Sequence, residues 1–424
     1  MPPGIGAGLT VLLLSVSSAL ALAAGKHLGV ATCANSACHA ASEAMPSSQV
    51  LQYEFFVWRD HDKHSRAYRA LQSARGQAIA RTLGLGPATE APQCLSCHSD
   101  YVPAEQRGSQ HKLSDGVGCE ACHGGAESWL GIHASGVSTH KENLAAGMYP
   151  TDQPVARARL CLGCHLAQGD PGLSHAAHAA GHPRLRFELD SYSDGRPAHH
   201  QVDQDYRLRK ANAYGAQAWA LGQQTAAQRR LEALAREGAN PEGLFPELSH
   251  FECLGCHQQM GDGQSGSHGV PRTDDAALVL LSVIAQVLAP ARAQALDGGI
   301  GELHRAAGAS RSAWLTAAEA LLAEVRGLRD VVSAGPIEAA ATRQMLDEIL
   351  RWAAAGRWTS AGQAEQASHA VSTLIFALEL AGVDLSSPAL DQALDRLFTL
   401  AGQMFDFDAA AWQKQAAAVQ RAMP

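Results

Sequence analysis

The chain has 424 residues, 46% of them hydrophobic but only 5% aromatic, with 33 Lys and Arg against 41 Asp and Glu and a formal charge of −8. This length has room for two or three domains. An acidic chain without a basic run excludes a nucleic-acid binder that grips phosphates, and it suits positively charged partners.

The first element is an apolar run from about Ile5 to Ala24, with the core LTVLLLSVSSALALAA. Ala21-Leu22-Ala23 fits a small-residue cleavage site and starts a mature chain at or near Ala24. No Lys or Arg occurs in the first 25 residues, where a signal peptide normally carries one. The alternative is an uncleaved anchor, since about twenty residues can just span a bilayer. The serines that interrupt the run and the closeness of Cys33 favour cleavage. Residues 1–24 read as a signal peptide or N-terminal anchor, and either one exports the cysteine-bearing region to the periplasm. No later segment is long and apolar enough to cross a membrane.

Cysteine motifs come next. CANSACH ends at His39, CLSCH at His98, CEACH at His123, and CLGCH at both His165 and His257. They use all ten cysteines, Cys33, Cys38, Cys94, Cys97, Cys119, Cys122, Cys161, Cys164, Cys253 and Cys256, and leave none for a disulfide or a nucleophile. Two thiols a helical turn apart can form thioethers to both vinyl groups on one porphyrin edge, and the histidine after the second cysteine then binds iron. Zinc is the alternative, because the CxxC pairs near Cys94 and Cys119 have ribbon-like spacing. A zinc ribbon, however, needs no histidine directly after each second cysteine. The motifs therefore require five haem c groups on these cysteines, with His39, His98, His123, His165 and His257 as proximal iron ligands. In CANSACH the two extra residues must loop out between the attachment points. Porphyrins would also supply the flat apolar bulk that the few aromatic side chains do not.

Everything that binds haem falls within 25–272, read as a multihaem c-type cytochrome domain of short helices and long loops. At about one haem per fifty residues the porphyrins touch or nearly touch. One clearer helix is expected from about Asp205 to Gly238, with Trp219, Leu221 and Leu231 among its apolar positions and the Gly238-Ala-Asn-Pro241 breaker at its end. A glycine-rich linker, Gly261 to Gly269, leads into 273–424, which holds no cysteine and only two histidines, His304 and His369. Apolar residues recur there three or four apart between turn signals. Thr273 caps ALVLLSVIAQVL, Gly335-Pro336 opens the next-but-one helix, and Ser386-Ser387-Pro388 opens a later one. The expected fold is mainly α: a loop-rich multihaem cytochrome domain followed by an all-α antiparallel bundle of five or six helices. The bundle reads as a packing domain, with docking or dimerisation through its helices as the alternative.

Twenty histidines are a large supply for an acidic exported chain, and fifteen remain after the proximal five. Neutral imidazole is a good iron ligand, so some of them are expected on the second axial side. His61 and His64 lie three apart on one face of an expected helix. His175 and His182 would be separated by roughly 10 Å on a continuous helix, enough to serve two stacked haems. Pro183 disfavours helical geometry at His182, which instead can cap the helix end. His111 and His133 flank the Cys119 motif at distances that reach a neighbouring haem more easily than that motif's own iron. Met45, Met148 and Met260 compete as ligands and would raise the potential. Histidine outnumbers them, so bis-histidine, low-potential haems are expected as the majority.

The runs DKHSRAYRAL (Asp62 to Leu71), GVGCEACHGGAESWLGIH (Gly116 to His133) and AGHPRLRFEL (Ala180 to Leu189), with FECLGCH (Phe251 to His257) as the last haem-binding element, resemble the cytochrome c-554 family of periplasmic multihaem cytochromes. The likeness covers roughly Gly29 to Gln259. It implies electron transfer through closely packed haems in a mostly helical, loop-rich fold. Carried over residue by residue, it implies His64, His111, His133, His175 and His182 as distal iron ligands. The chain departs from the family in its CxxxxCH first motif, its fifth haem and its long cysteine-free C-terminal region. More distantly the resemblance reaches multihaem enzymes of nitrogen oxides and hydroxylamine.

Two functions are open at this point. One is a periplasmic electron carrier passing electrons between redox proteins, with no nucleic acid and no membrane span beyond the N-terminal segment. The other is a pentahaem oxidoreductase of nitrogen oxides or hydroxylamine with one open haem, for which Tyr149 and His140 are proton-donor candidates. No CxxCK motif is present, and no residue carries a substrate signature. The carrier is the favoured expectation, with no catalytic residue assigned.

Overall fold

The computed structural model describes residues 25–45, 50–166, 172–195, 197–210, 214–239, 246–257 and 272–423. The apolar N-terminal run, Met260 and the Gly261–Gly269 linker lie outside the described residues. Those described are helical, without a strand. Two isolated bridges, His27 to Arg107 and Phe251 to Thr273, are the strand-like pairings among them.

From Gly25 to Arg209 the helices are short, and four of them, Val30–Cys33, Pro92–His98, Cys119–His123 and Pro154–His165, begin or end at cysteine motifs. Pro92 and Pro154 occupy the first turn of the helices Pro92–His98 and Pro154–His165, a position where the missing N–H loses no hydrogen bond. The helix Cys119–His123 stops at Gly124, whose φ of 77° no side-chain-bearing residue adopts readily. Buried apolar side chains are sparse here, and the tight cluster is only Leu71, Ala80, Ala88 and Leu95.

The helix expected over 205–238 is two helices, Gln204–Arg209 and Ala216–Ala239. The break has a cause at Gly215. Its φ is +59°, and a Cβ there would lie 2.9 Å from Cβ of Ala377, so the chain turns where it meets another helix. Asp190 holds the turn by accepting from the Gly215 N–H at 2.8 Å.

Seven longer helices follow: Ala276–Leu288, Pro290–Ala307, Arg311–Ser333, Ala339–Ala354, Ala361–Leu380, Pro388–Gly402 and Ala409–Ala422. That exceeds the five or six expected. Their apolar faces form one core that also takes in Trp219, Leu221, Leu231 and Leu234 of the Ala216–Ala239 helix, so the packing crosses residue 272. Trp219, Trp314, Trp352, Trp358 and Trp412 are all fully buried in it. Each buried indole removes roughly 200 Å² from water, worth about 5 kcal/mol before entropy is counted. The protein's own apolar core is therefore concentrated in these helices, and the cysteine region needs another source of buried surface.

Of the expected caps, Ser387 stands at the start of Pro388–Gly402 and accepts from Leu390 N at 3.1 Å. Thr273 does not cap: the residue before Ala276–Leu288 is Asp275, and Thr273 is buried in the bridge to Phe251. Asp275 is fully buried and accepts from Arg272, His304 and Gln363 instead of capping the helix. Gly335-Pro336 precedes its helix, which begins at Ala339, by three residues.

The bundle also braces the cysteine region. Glu365 pairs with Arg184 at 3.0 Å and Arg186 at 3.2 Å, and Gln366 donates to Phe187 O at 3.2 Å. Arg229 of the Ala216–Ala239 helix donates to Arg159 O at 2.7 Å, beside the fourth cysteine motif. The stretch 184–187, just after His182, is thereby fastened to the Ala361–Leu380 helix.

Candidate haem sites

Each motif exposes its cysteines through a short helix or turn. Cys94, Cys97 and His98 end one helix, Cys119 to His123 form another, and Cys161 to His165 end a third. At the last motif a 3-10 turn covers Cys253–Gly255, and His257 N donates back to Cys253 O at 2.9 Å. In CANSACH the helix Val30–Cys33 stops and Asn35 organises the longer spacer. Its side chain accepts from Ala37 N at 2.9 Å and its carbonyl from Cys38 N at 2.9 Å. The two extra residues therefore turn back within the loop.

The motif histidines do not stand alone. Opposite each lies a second imidazole, at a ring-centre separation of 6.0 Å for His39 and His133, 6.0 Å for His165 and His64, 6.4 Å for His98 and His182, 6.3 Å for His123 and His199, and 6.0 Å for His257 and His175. Two imidazoles on one iron, each bonded through nitrogen at about 2 Å, hold their ring centres about 6 Å apart. The pairs have that spacing. Chemically, each is a gap between two imidazoles beside a motif's two thiols, which fits a haem c.

Hydrogen bonds orient several of these rings. His39 Nδ1 donates to Glu54 at 3.0 Å, His64 Nδ1 to Asp62 at 2.9 Å, His98 Nδ1 to Ala67 O at 3.0 Å, and His182 Nδ1 to Pro183 O at 2.8 Å. Carboxylates and carbonyls only accept, so Nδ1 carries the proton and Nε2 keeps the lone pair. That is the usual tautomer of a metal-bound imidazole. Outside the pairs both patterns occur: Nε2 is engaged in His250 by Glu237 at 2.8 Å and in His304 by Asp275 at 2.9 Å, whereas His27 and His178 bond through Nδ1 to Asp100 and to His182 O. Phe187 stacks on the His165 ring at 4.2 Å and limits how it can turn.

Of the distal histidines that the family resemblance implies, His64, His133, His175 and His182 each face a motif histidine. His111 does not. Its Nε2 donates to Asp100 O at 2.9 Å and its ring sits 6.3 Å from His27. The backbone holds it there: Gly29, at φ +101°, passes so close that a Cβ would lie 2.7 Å from His111 N. The ring opposite His123 belongs to His199, which the sequence alone did not single out. Its one local signal is the His199-His200 doublet, with His200 stacked on Tyr206 at 5.5 Å.

His175 and His182 do not share a continuous helix. The helix is His175–Ala179, the chain reverses at Gly181 (φ +105°), and His182 N returns to Ala177 O at 3.0 Å. His61 and His64 likewise fall on different turns, because Asp62 between them is extended. Tyr149, considered as a proton donor, gives its hydroxyl proton to Ala156 O at 2.8 Å. His140 Nε2 lies 3.1 Å from Asp152 Oδ1, within ion-pair distance but out of line for a hydrogen bond.

Burial, with nearby His39 and Lys210, pushes His123 down to about 4, and burial with His64 does the same to His165. Both rings are thus neutral at physiological pH, as an iron ligand must be. Thiols of different motifs also meet. Cys33 hydrogen-bonds Cys119, and Cys97 hydrogen-bonds Cys164, which pulls the Cys97 thiol down to about 7 and pushes Cys164 up. A ribbon site would need the Cys94 and Cys119 pairs to converge on each other. Cys119 instead meets Cys33 and Cys97 meets Cys164, and among the described residues no group of three or more His, Cys, Asp or Glu gathers to hold a bare ion.

Another buried carboxylate ties the N-terminal segment to the third motif. Glu120, 2% exposed, accepts from Leu28 N at 2.8 Å, Gly29 N at 2.6 Å and Ala126 N at 2.7 Å. Its place inside CEACH gives no sign of this in the sequence.

Helices that present thiol pairs and a following histidine define a c-type cytochrome, a protein that transfers electrons through covalently held haem. Residues 32–124, which contain the first three motifs, match the family model described as cytochrome c554 and c-prime. No curated protein and no solved structure matches the chain.

Proposed function

We propose that the chain is an exported multihaem electron carrier with five haem c groups, each iron held between two histidines: His39 and His133, His98 and His182, His123 and His199, His165 and His64, His257 and His175. The observation that carries this reading is the set of ring pairs at 6.0–6.4 Å, one for every cysteine motif. The haem, when bound, supplies a one-electron ferric–ferrous couple. The chain's residues hold the rings, exclude water and set the potential through ligand and burial. With two nitrogen donors per iron, a small substrate has no open metal face, which favours the carrier over the oxidoreductase of nitrogen oxides or hydroxylamine. Export to the periplasm is supported by the family and by the apolar N-terminal run. Among the described residues no helix is long and apolar enough to cross a membrane. Redox proteins with basic docking surfaces are the proposed partners, on the strength of the −8 charge. Intact-mass measurement of the mature protein tests the haem number. A mass excess of five haems is expected. An excess of four would remove CANSACH from the set, and bound zinc without haem absorption would overturn the reading.

A further inference from the structure

Two of the Nδ1 tethers end on a carboxylate, and two end on a backbone carbonyl. His39 donates to Glu54 and His64 to Asp62, whereas His98 and His182, which face each other, donate to Ala67 O and Pro183 O. Both carboxylates are themselves fixed. Asp62 also accepts from His64 N at 3.0 Å, and Glu54 accepts from Gln52 N at 3.2 Å. Gln52 has φ 56°, alone in that region among the described non-glycine residues, so the backbone is held in a costly conformation where it meets Glu54. The side chains of Glu54 and Asp62 are 16% and 7% exposed, so water screens their charge only weakly.

A carboxylate draws the Nδ1 proton towards itself and makes the imidazole a more basic, more electron-rich ligand. Such a ligand stabilises ferric iron over ferrous iron. A neutral carbonyl does this less.

We propose that Glu54 and Asp62 are positioning residues that act through His39 and His64 to lower the potentials of the haems at Cys33/Cys38 and Cys161/Cys164 below that of the haem at Cys94/Cys97, whose His98 and His182 are tethered to carbonyls. The proposal rests on the ligand pairs proposed above. The step involved is one electron converting ferric to ferrous iron, with no bond formed or broken. Electrons entering the array then fill the Cys94/Cys97 haem before the two carboxylate-backed haems.

The test is a spectroelectrochemical titration of the full haem-loaded chain carrying Glu54→Gln, Asp62→Asn or both. Each substitution keeps an acceptor oxygen and removes the charge. Each single variant should move one component, a different one in each, upward by about tenfold in its oxidised-to-reduced ratio, ~59 mV for one electron. The double variant should move both, with every haem still low-spin. Low-spin haems with no component moved would overturn the tuning role and leave the ligand pairs standing. So would a shift of the same component in both single variants. A high-spin haem appearing only in a variant would reduce the carboxylate to a structural prop and overturn the proposal. A high-spin haem at either pair in the unsubstituted protein would instead overturn the ligand reading. Asp62 also supports the local backbone, so if Asp62→Asn does not fold, Glu54→Gln decides the case, with Glu54→Asp expected to restore the low potential.

Discussion

Replacing Glu120 with Ala should unfasten residues 25–29 from the third motif. The carboxylate is 2% exposed and accepts three backbone N–H bonds, from Leu28, Gly29 and Ala126. Leaving a buried donor without an acceptor costs about 1–3 kcal/mol. Two of the three donors are fully buried, and removing the carboxylate also relieves its own desolvation, so the net loss should be about 3 kcal/mol. Covalent cofactors make a global two-state unfolding energy ill-defined, so the local opening equilibrium is the quantity to measure. Hydrogen exchange read by mass spectrometry on peptides covering 25–31 and 119–129 should speed up roughly a hundredfold, and Glu120→Gln, which keeps one acceptor oxygen, should fall in between. A change below about threefold in both peptides would show that water or other groups satisfy these donors, and the pinning argument would be wrong.

The remaining predictions concern ligands, pH and salt. His199→Ala should turn one haem high-spin while His111→Ala leaves the spin state unchanged; the reverse pattern in their absorption spectra would restore His111 as the ligand. Burial, aided by the Asp274 charge, raises the Glu252 carboxyl from its ordinary 4.5 to about 7. Between those values the folded chain holds a proton that the unfolded chain has lost. Stability from this group is therefore full below pH 4.5 and declines by about 1.4 kcal/mol per pH unit up to about 7. Hydrogen-exchange opening of peptides covering 246–257, corrected for the intrinsic pH dependence of exchange, should show the slope across that window, and Glu252→Gln should flatten it. Stopped-flow electron transfer to a basic redox protein should slow as salt rises, because the −8 charge assists encounter only over the Debye length. Rates indifferent to salt would remove the electrostatic argument for such partners.

The cysteine motifs and their histidines were legible because they are local: thioether attachment and the proximal ligand need only a few consecutive residues. The ring facing each motif histidine is not local. His133, His182 and His199 meet rings that lie far away in the chain, and no period or spacing ties His199 to His123. Of the histidines carried over from the family resemblance, His64, His133, His175 and His182 face motif histidines. His111 does not, because Asp100 and the close passage of Gly29 hold that ring elsewhere. Periodicity read the bundle as helical but miscounted its helices, since the short connections at Ala289 and around Gly308 interrupt an almost continuous apolar pattern. Asp275 shows why capping was misassigned. The sequence marks Thr273 as the polar start, and only the folded chain shows that Asp275 precedes the helix and is occupied by three donors from other turns and helices.

The central claim is that every iron sits between two histidines. Electron paramagnetic resonance of the fully oxidised, haem-loaded protein, with its spins counted against its haem content, tests it most directly. The account predicts low-spin ferric signals that integrate to all five haems and do not change when nitrite or hydroxylamine is added. A high-spin signal equal to one haem, shifting on addition of either substrate, would contradict it and identify an open iron.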